Sequence, residues 1–559
     1  MSSTNLDRRT FLKSAGALGA TALMGRGVAL GRESSSVPVS QKPGKAPYRV
    51  IFSNDTTNIT TCISPYHKKG EEWRPEMLEA TVDEVAGHGV DAHFIQLAHG
   101  QVPWYQSKIY PLAQHHRWWE ERFGVSAKHA AFNLNGIHSY ILDGGDLLQV
   151  FIDRCRKVGQ APFVSMRMND VHHVEHVDTP GNTRGIHSIT RFYAEHPEWR
   201  LGTDLLSWSE RALNWAVPEV RDWVFGFIAE QCRNYDIDGF ELDFQRFPSY
   251  FRLNETTSEQ RRKIMREFIA RVRAVLDENG GRHRWLGVRI PCYTGGFDSI
   301  GIDLPQWVDA GVEMVNVSPF YFTAQDTEFA AIRAMAPTTA MYLEMCHSTW
   351  NGKRVAPGYD AFTFRRTTPE QYETTAHLAY QQGADGVSLF NFVYYREHGR
   401  GERGPFNEPP FHALDHLGDR EYLAKQPQHW FLAPGWKPSF NASRFVLPKA
   451  IRAGETHELR LMFAAPTGGW KRDGVLRFQA EQAWGGAKLA VKLNDEALSS
   501  SEKTGEPYPN PYPPLLGDAQ RNRAWSVPAR LLRDGWNHFV FTLEEGDANT
   551  IEFIDLGVA

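Results

Sequence analysis

The sequence predicts an α/β protein: a (β/α)8 TIM barrel followed by a C-terminal antiparallel β-sandwich. Three observations predict it. Eight short apolar runs alternate with helical patterns between residues 47 and 424. Several helical patterns stop at a glycine that leads directly into the next apolar run, as at Gly159, Gly311 and Gly383, the usual left-handed helix end. After about residue 425 the helical period disappears, and short alternating runs are separated by Gly, Asp, Asn and Pro. An open doubly wound sheet is the competing arrangement. No Gly-rich phosphate loop follows the first run, which counts against it.

The first element is an address. Residues 7–13 read Asp-Arg-Arg-Thr-Phe-Leu-Lys, and a weakly apolar stretch runs from Ser14 to Met24. This resembles a twin-arginine export signal. The resemblance implies export of a folded chain through the twin-arginine machinery, to the periplasm or beyond. The stretch is too short to span a bilayer and contains no Cys, so neither stable membrane insertion nor lipid anchoring is expected. Residues 1–33 are assigned to the signal, with cleavage near Ala29, and residues 34–46 to a polar linker. Five widely spaced cysteines, Cys62, Cys155, Cys232, Cys292 and Cys346, argue against a disulfide framework.

The barrel strands follow as Arg49–Ser53, Ala92–Leu97, Phe163–Met168, Gly239–Phe244, Leu286–Pro291, Met314–Pro319, Met341–Met345 and Gly386–Phe390. Helical patterns at 75–87, 146–158, 219–234, 258–278, 304–309, 327–335 and 369–382 separate them. The segments after strands 2 and 3 are long. They carry Trp104, Tyr105, Trp118 and Trp119, then Trp199, Trp208 and Trp215, and these rings are expected to form sugar-stacking surfaces on the barrel rim. In the sandwich, 425–559, the strand-like runs are 458–463, 475–478, 488–493, 538–543 and 550–554, with a Pro-rich loop at 500–524. Whether the sandwich binds carbohydrate or only packs on the barrel stays open.

The densest chemistry lies in the fourth strand, Asp238-Gly-Phe-Glu-Leu-Asp-Phe-Gln-Arg-Phe-Pro248. Side chains alternate along a strand, so Phe240, Leu242 and Phe244 face the outer helices. Glu241 and Asp243 face the barrel axis, about 6.5–7 Å apart at the Cα level, with Gln245 above them at the rim. Mutual repulsion and burial raise a carboxyl pKa, so such a pair can keep a proton near neutral pH and act as a general acid. Parity also points Arg167 on strand 3 and Arg289 on strand 5 inward. The expectation is that one of them pairs with the deeper Glu241 and leaves Asp243 free. Glu344 on strand 7 reaches in from the opposite wall and could complete a pair of carboxylates flanking a glycosidic bond. A buried Glu bonded to an Arg on a neighbouring strand is the alternative for Glu344.

Polar side chains gather at the strand ends. They are Asn54 and Asp55 after strand 1, His99 after strand 2, and Asn169, Asp170 and His173 after strand 3. Gln245 and Arg246 follow strand 4, Asn316 and Tyr321 belong to strand 6 and its exit, and Asn391 follows strand 8. With Trp104, Arg167 and Arg289 they form the candidate substrate-binding set, since sugar hydroxyls need donors and acceptors together. His172, His173, Glu175, His176 and Asp178 could hold a metal, but the segment reads as loop and lacks the helical His-Glu-x-x-His spacing, so no metal and no cofactor is expected.

Asn214-Trp-Ala-Val-Pro-Glu-Val-Arg-Asp-Trp223 and Tyr235-Asp-Ile-Asp-Gly-Phe-Glu-Leu-Asp-Phe-Gln-Arg-Phe-Pro248, with His196-Pro-Glu-Trp199 upstream, resemble the bacterial glycosyl-hydrolase-like barrel families. Those families resemble the hydrolase domain acting on partially deacetylated poly-glucosamine and, more distantly, chitinase-type barrels. In the chitinase type the strand ends in an acidic Glu; the matching position here is Gln245, which shifts the acid role to Asp243. The resemblance implies a sugar-processing barrel and is silent on the sugar.

The chain has 559 residues with a net charge of −5 and no basic stripe, which argues against nucleic acid as a partner. A mean hydropathy of −0.45 excludes a polytopic membrane protein. The expected function is a secreted glycoside hydrolase acting on a polysaccharide or oligosaccharide, with Asp243 as general acid/base, Glu344 as nucleophile or base and Glu241 as a pKa-tuning partner. A non-hydrolytic carbohydrate-binding barrel and a metal-dependent polysaccharide deacetylase are the alternatives.

Overall fold

A computed structural model describes residues 44–56, 59, 73–99, 101–130, 135–278, 283–351, 364–396, 408–434, 446–511 and 519–559. The export signal, the linker to residue 43 and Cys62 lie outside the described residues. The barrel strands are β1 (Val50–Asn54), β2 (Ala92–Ile95), β3 (Ala161–Arg167), β4 (Gly239–Asp243), β5 (Trp285–Pro291), β6 (Met314–Ser318), β7 (Ala340–Cys346) and β8 (Gly386–Phe390). Each pairs in parallel with its sequence neighbours, and β1 closes on β8. The doubly wound alternative is thereby excluded.

Local chemistry sets the helix boundaries. Asp146 caps Leu147–Val158 by accepting from the Gln149 N–H at 3.1 Å, and Gly159 ends that helix at φ +80°. Thr257 and Thr368 each form a reciprocal capping box, with Gln260 and Gln371 respectively. Proline opens Pro75–Asp83, Pro218–Asn234 and Pro369–Gln381, where a missing N–H does no harm.

The barrel interior is layered. Its lower layer is apolar, formed by Ile51, Ala92, Phe94, Phe163, Trp285, Met314, Ala340 and Tyr342. Phe94 and Phe163 stack with centroids 4.3 Å apart. Gly239 is required here. A Cβ at that position would lie 2.5 Å from the Trp285 carbonyl oxygen and closer still to the Phe163 ring. Register places Ser165 beside Glu241 and Gly287, and Arg167 beside Asp243 and Arg289, one layer higher. The charged residues thus sit on top of an apolar plug, toward the C-terminal mouth.

The long segment after β2 is not an open loop. It forms a two-strand hairpin (Ala98–His99 with Val102–Pro103) and helices Leu112–Phe123, Ala127–Ala130 and Asn135–Leu142. Trp104 and Trp119 are fully buried in the core, Trp118 nearly so, and Trp215 is buried against Tyr250 and Phe268. The expected stacking surfaces are therefore mostly core. The insertion needs an apolar underside, and Trp supplies the largest buried area per residue. Trp208 is exposed and Trp199 half-buried.

The C-terminal region forms two antiparallel sheets. One contains Gln428–Leu432, Lys449–Ile451, Gly474–Ala480, Ser499–Ser501, Asn522–Val527 and Asn549–Val558; the other contains Thr456–Phe463, Lys488–Leu493, Glu496–Ala497 and Gly535–Glu545. Two strands, 499–501 and 522–527, flank the expected Pro-rich loop and pair with each other. The three serines of 499–501 lack apolar alternation because they form an exposed sheet edge. The sandwich is built onto the barrel. Leu378 of Pro369–Gln381 belongs to the sandwich core. The Gln325 side chain accepts from the Phe431 N–H at 2.8 Å and donates to the His429 carbonyl at 3.1 Å, which covers the edge of strand 428–432. Cys155, Cys232, Cys292 and Cys346 are buried thiols.

Candidate active site

Parity and register bring Glu241, Asp243, Arg289, Asn316, Glu344 and Arg167 into one buried cluster at the C-terminal half of the barrel. Asp243 ends β4. Its Oδ1 accepts from the backbone N–H groups of Gln245 and Arg246, both at 2.9 Å, and its Oδ2 accepts from Arg289 Nη1 at 2.9 Å. All three partners donate, the pattern that an ionised carboxylate accepts. Arg289 turns its other edge to Glu344, with Nε and Nη2 each 2.6 Å from a carboxylate oxygen. Ser318 Oγ donates to Glu344 at 2.6 Å. Burial raises the Glu344 pKa against the pull of Arg289, and the Arg289 guanidinium lies 4.3 Å from the Phe390 ring centroid.

Glu241 has a different environment. It accepts from Ser165 Oγ at 2.7 Å and from Asn316 Nδ2 at 3.3 Å, and bonds to neither arginine. Burial first, and the Asp243 charge second, push its pKa up to about 8. The expectation that Arg167 or Arg289 neutralises Glu241 is therefore corrected, as is the expectation that Asp243 is free. Register is the cause: the β5 neighbour of Glu241 is Gly287, and both arginines lie level with Asp243. Glu344 is buried and bonded to Arg289, which stands two strands away rather than on a neighbouring strand.

Arg167 faces the strand-1 side of the mouth. Its Nη2 donates to Asp55 Oδ2 at 3.0 Å and its Nη1 to Asp170 Oδ2 at 3.2 Å. Asp55 also accepts from Asn391 Nδ2 at 3.1 Å and from the Tyr394 hydroxyl. Asp170 accepts from His172 Nδ1 at 2.6 Å, and His172 Nε2 accepts from Arg246 Nη2 at 3.0 Å. Burial drives the His172 pKa down to about 3, so the ring is neutral and these two bonds fix its tautomer. Among the described residues, non-glycine residues beyond the barrel strands adopt positive φ at Thr56 (64°), Gln101 (80°), His173 (57°), Phe247 (60°), Phe320 (77°) and Asn391 (52°). Each such residue stores about 1–3 kcal/mol, and strain of this kind collects at functional sites.

The other expected site residues divide. Asn54 Oδ1 caps the turn by accepting from the Thr56 N–H at 2.7 Å. Gln245 is fully buried beside Asp243, and Tyr321 is half-buried, its ring 5.7 Å from the Arg246 guanidinium. His173 packs its ring against His172 and His187. Asn169 is not turned to the mouth. Its amide ties loops together, donating to the carbonyls of Leu213 (2.9 Å) and Ser249 (2.7 Å) and accepting from the Leu213 N–H. Trp104 lies in the core, and the His99 side chain lies outside the described residues. His172, expected in the metal-candidate loop, and Tyr394, at the strand-8 exit, both join the mouth: His172 through Asp170, two positions away, and Tyr394 through Asp55 across 339 positions, a partner that no local pattern shows. Among the described residues, no three His, Cys, Asp or Glu side chains gather as a metal site requires.

The fold and the cluster define a (β/α)8 barrel with a carboxylate-rich C-terminal mouth. The family of twin-arginine translocation (TAT) pathway signal sequences matches residues 5–25, which directs the chain to export across the membrane. No helix among the described residues is long and apolar enough to cross one. No curated relative matches the chain. Similar solved structures include the glycoside hydrolase domain of PgaB (BpsB) from Bordetella bronchiseptica, at 10% identity over 63% of this chain and 94% of that one, TM-score 0.38. The α-L-fucosidase isoenzyme 2 from Paenibacillus thiaminolyticus is 12% identical over 67% of this chain and 49% of its own, TM-score 0.37. The β-N-acetylhexosaminidase from Bacteroides fragilis is 12% identical over 66% of this chain and 65% of its own, TM-score 0.37. The chain spans about half the length of the fucosidase it matches.

Proposed function

We propose that the protein is an exported glycoside hydrolase that cleaves a polysaccharide or oligosaccharide at the C-terminal mouth of its barrel. The observation that carries this reading is the Glu241–Asp243 pair. Asp243 presents the donor pattern of an ionised carboxylate, while Glu241 beside it keeps its proton up to about pH 8. Two adjacent carboxyls holding one proton supply the acid and base that glycosidic cleavage uses. Asp243, at the strand end, is the reacting carboxylate; Glu241 tunes it from below; Glu344 is the second carboxylate, fixed to Asp243 through Arg289. Asn54, Asp55, Asn391, Gln245 and Tyr321 are proposed to meet sugar hydroxyls.

Replacing Asp243 by Asn should lower reducing-sugar release from a polysaccharide panel by about 10²–10⁴-fold, the usual worth of general acid–base catalysis, in protein shown to be folded by circular dichroism. Retained release would remove Asp243 from the chemistry. One observation favours a second reading, a barrel that binds carbohydrate without cutting it: every carboxylate oxygen of Asp243 and Glu344 already accepts a hydrogen bond within the protein. Retention of a glycan by the wild-type protein, with no product from any of the panel, selects that reading.

A further inference from the structure

Arg167, Arg246 and Arg289 stand at the mouth, and their charges are met differently. Arg167 lies between Asp55 and Asp170, and Arg289 between Asp243 and Glu344. Arg246 has no carboxylate within ion-pair distance among the described residues. Its Nη2 donates to the neutral ring of His172, and its Nε is buried with no hydrogen-bond partner among the described residues. Three aromatic rings surround it: the guanidinium carbon is 5.0 Å from the Phe247 centroid, 5.1 Å from Phe320 and 5.7 Å from Tyr321. Cation–π contacts are individually weak, and a partly buried cation without a counter-ion is costly to hold.

The surroundings nevertheless fix Arg246 in place. Its own N–H is bonded to Asp243, and His172 is held by Asp170 so that its Nε2 lone pair faces the guanidinium. Phe247 and Phe320, two of its three ring neighbours, sit in strained backbone conformations. The guanidinium is thus an oriented fork with unused donors, attached by its backbone to the proposed reacting carboxylate. A fork of this shape matches a sugar-borne oxyanion, which would supply the missing charge and accept from Nε.

We infer that Arg246 binds an oxyanion substituent of the substrate, so that the mouth is built for an acidic glycan. The inference rests on the carbohydrate reading of the site and specifies its substrate class. A uronate carboxylate and a sulfate ester share the chemistry.

The test is calorimetric binding of trimeric galacturonate, a sulfated galactose trimer and a neutral galactose trimer to the full chain carrying wild-type Arg246, Arg246→Met or Arg246→Lys. The wild-type protein should prefer an acidic trimer, with an affinity that weakens as salt rises, while binding of the neutral trimer should not depend on salt. Arg246→Met should lose about 10- to 100-fold on the acidic trimer and leave the neutral one unchanged. Arg246→Lys should retain the salt dependence with a smaller loss. Should the Met variant melt early, the Lys variant and the wild-type salt dependence decide. Preference for galacturonate over the sulfated trimer identifies a carboxylate; the reverse identifies a sulfate. No preference for either acidic trimer, or an equal loss on the neutral one, overturns the inference. Charge-selective binding with no product release leaves the inference standing and removes hydrolysis. Product release by the wild-type protein, with no preference in binding for either acidic trimer, does the opposite.

Discussion

Glu241→Gln is the perturbation that reads the proton of the candidate site. An unfolded glutamate loses its proton near 4.5, whereas folded Glu241 keeps it to about 8. Between those values the folded state binds more protons than the unfolded state, so stability falls as pH rises. The contribution is fully present below 4.5 and gone above 8. Each pKa unit corresponds to about 1.4 kcal/mol, so the span of about 3.5 units corresponds to about 5 kcal/mol. Glutamine is close in shape to the protonated acid and does not titrate. It can still accept from Ser165, and a turn of the Asn316 amide would offer its Oδ1, which has no hydrogen-bond partner among the described residues, to the new N–H. Denaturant unfolding followed by tryptophan fluorescence at pH 5, 7 and 9 should show the Gln variant gaining on the wild type, with the difference growing by a few kcal/mol across the series. Because all other groups are common to both proteins, their titration largely cancels in the difference. A gap that stays constant within about 0.5 kcal/mol from pH 5 to 9 would refute the raised pKa, and with it the proton-sharing pair.

Two further substitutions test what holds the charges. Arg289→Met leaves Asp243 and Glu344 buried without their shared cation and should destabilise the barrel by about 3–5 kcal/mol in the same unfolding assay; a loss under 1 kcal/mol would mean that Arg289 is dispensable to both. In the sandwich, Asp555 accepts from Arg477 and from His429 Nε2 at 2.9 Å, and Arg477 and His429 outweigh burial to hold its carboxyl well below the usual range. That stabilisation exists above the unfolded carboxyl pKa and disappears as pH falls through the lower folded value. Asp555→Asn should therefore unfold earlier than wild type at pH 7, with the two melting points converging in strong acid; parallel melting curves at all pH values would contradict the assignment.

The barrel was legible because its signals are local. Apolar runs, glycine helix ends and strand parity need only neighbouring residues, and they located all eight strands and aimed Glu241, Asp243, Arg289 and Glu344 inward. Pairing among those side chains was not legible, because it depends on register, a relation between strands far apart in sequence. Parity says that Arg289 points inward; only the alignment of Gly287 with Glu241 says that it does so one layer too high to reach Glu241. An arginine is also long enough to pass the β6 strand and take a carboxylate from β7, 55 positions away. Strand direction therefore constrains which face a charge occupies and leaves its partner open.

The tryptophans show a different kind of failure, one the sequence could have prevented. A surplus of Trp suits a sugar platform and a large core equally well, so composition cannot choose between them. Spacing can. Leu112, His115, Trp119 and Phe123 recur at three to four residues and lie on one buried face of Leu112–Phe123, the stripe expected of a helix packed on a core. Trp208 has no such period, and it is the exposed one, its ring stacked 5.2 Å from Phe247 beside the Arg246 fork. Rings that follow a helical period cover the fold's own interior. An irregular segment carries no such stripe: Trp104 and Trp215 lie outside helices and are buried all the same, so spacing sorts only the helical rings, and it is exposure that sets Trp208 apart at the end of β4.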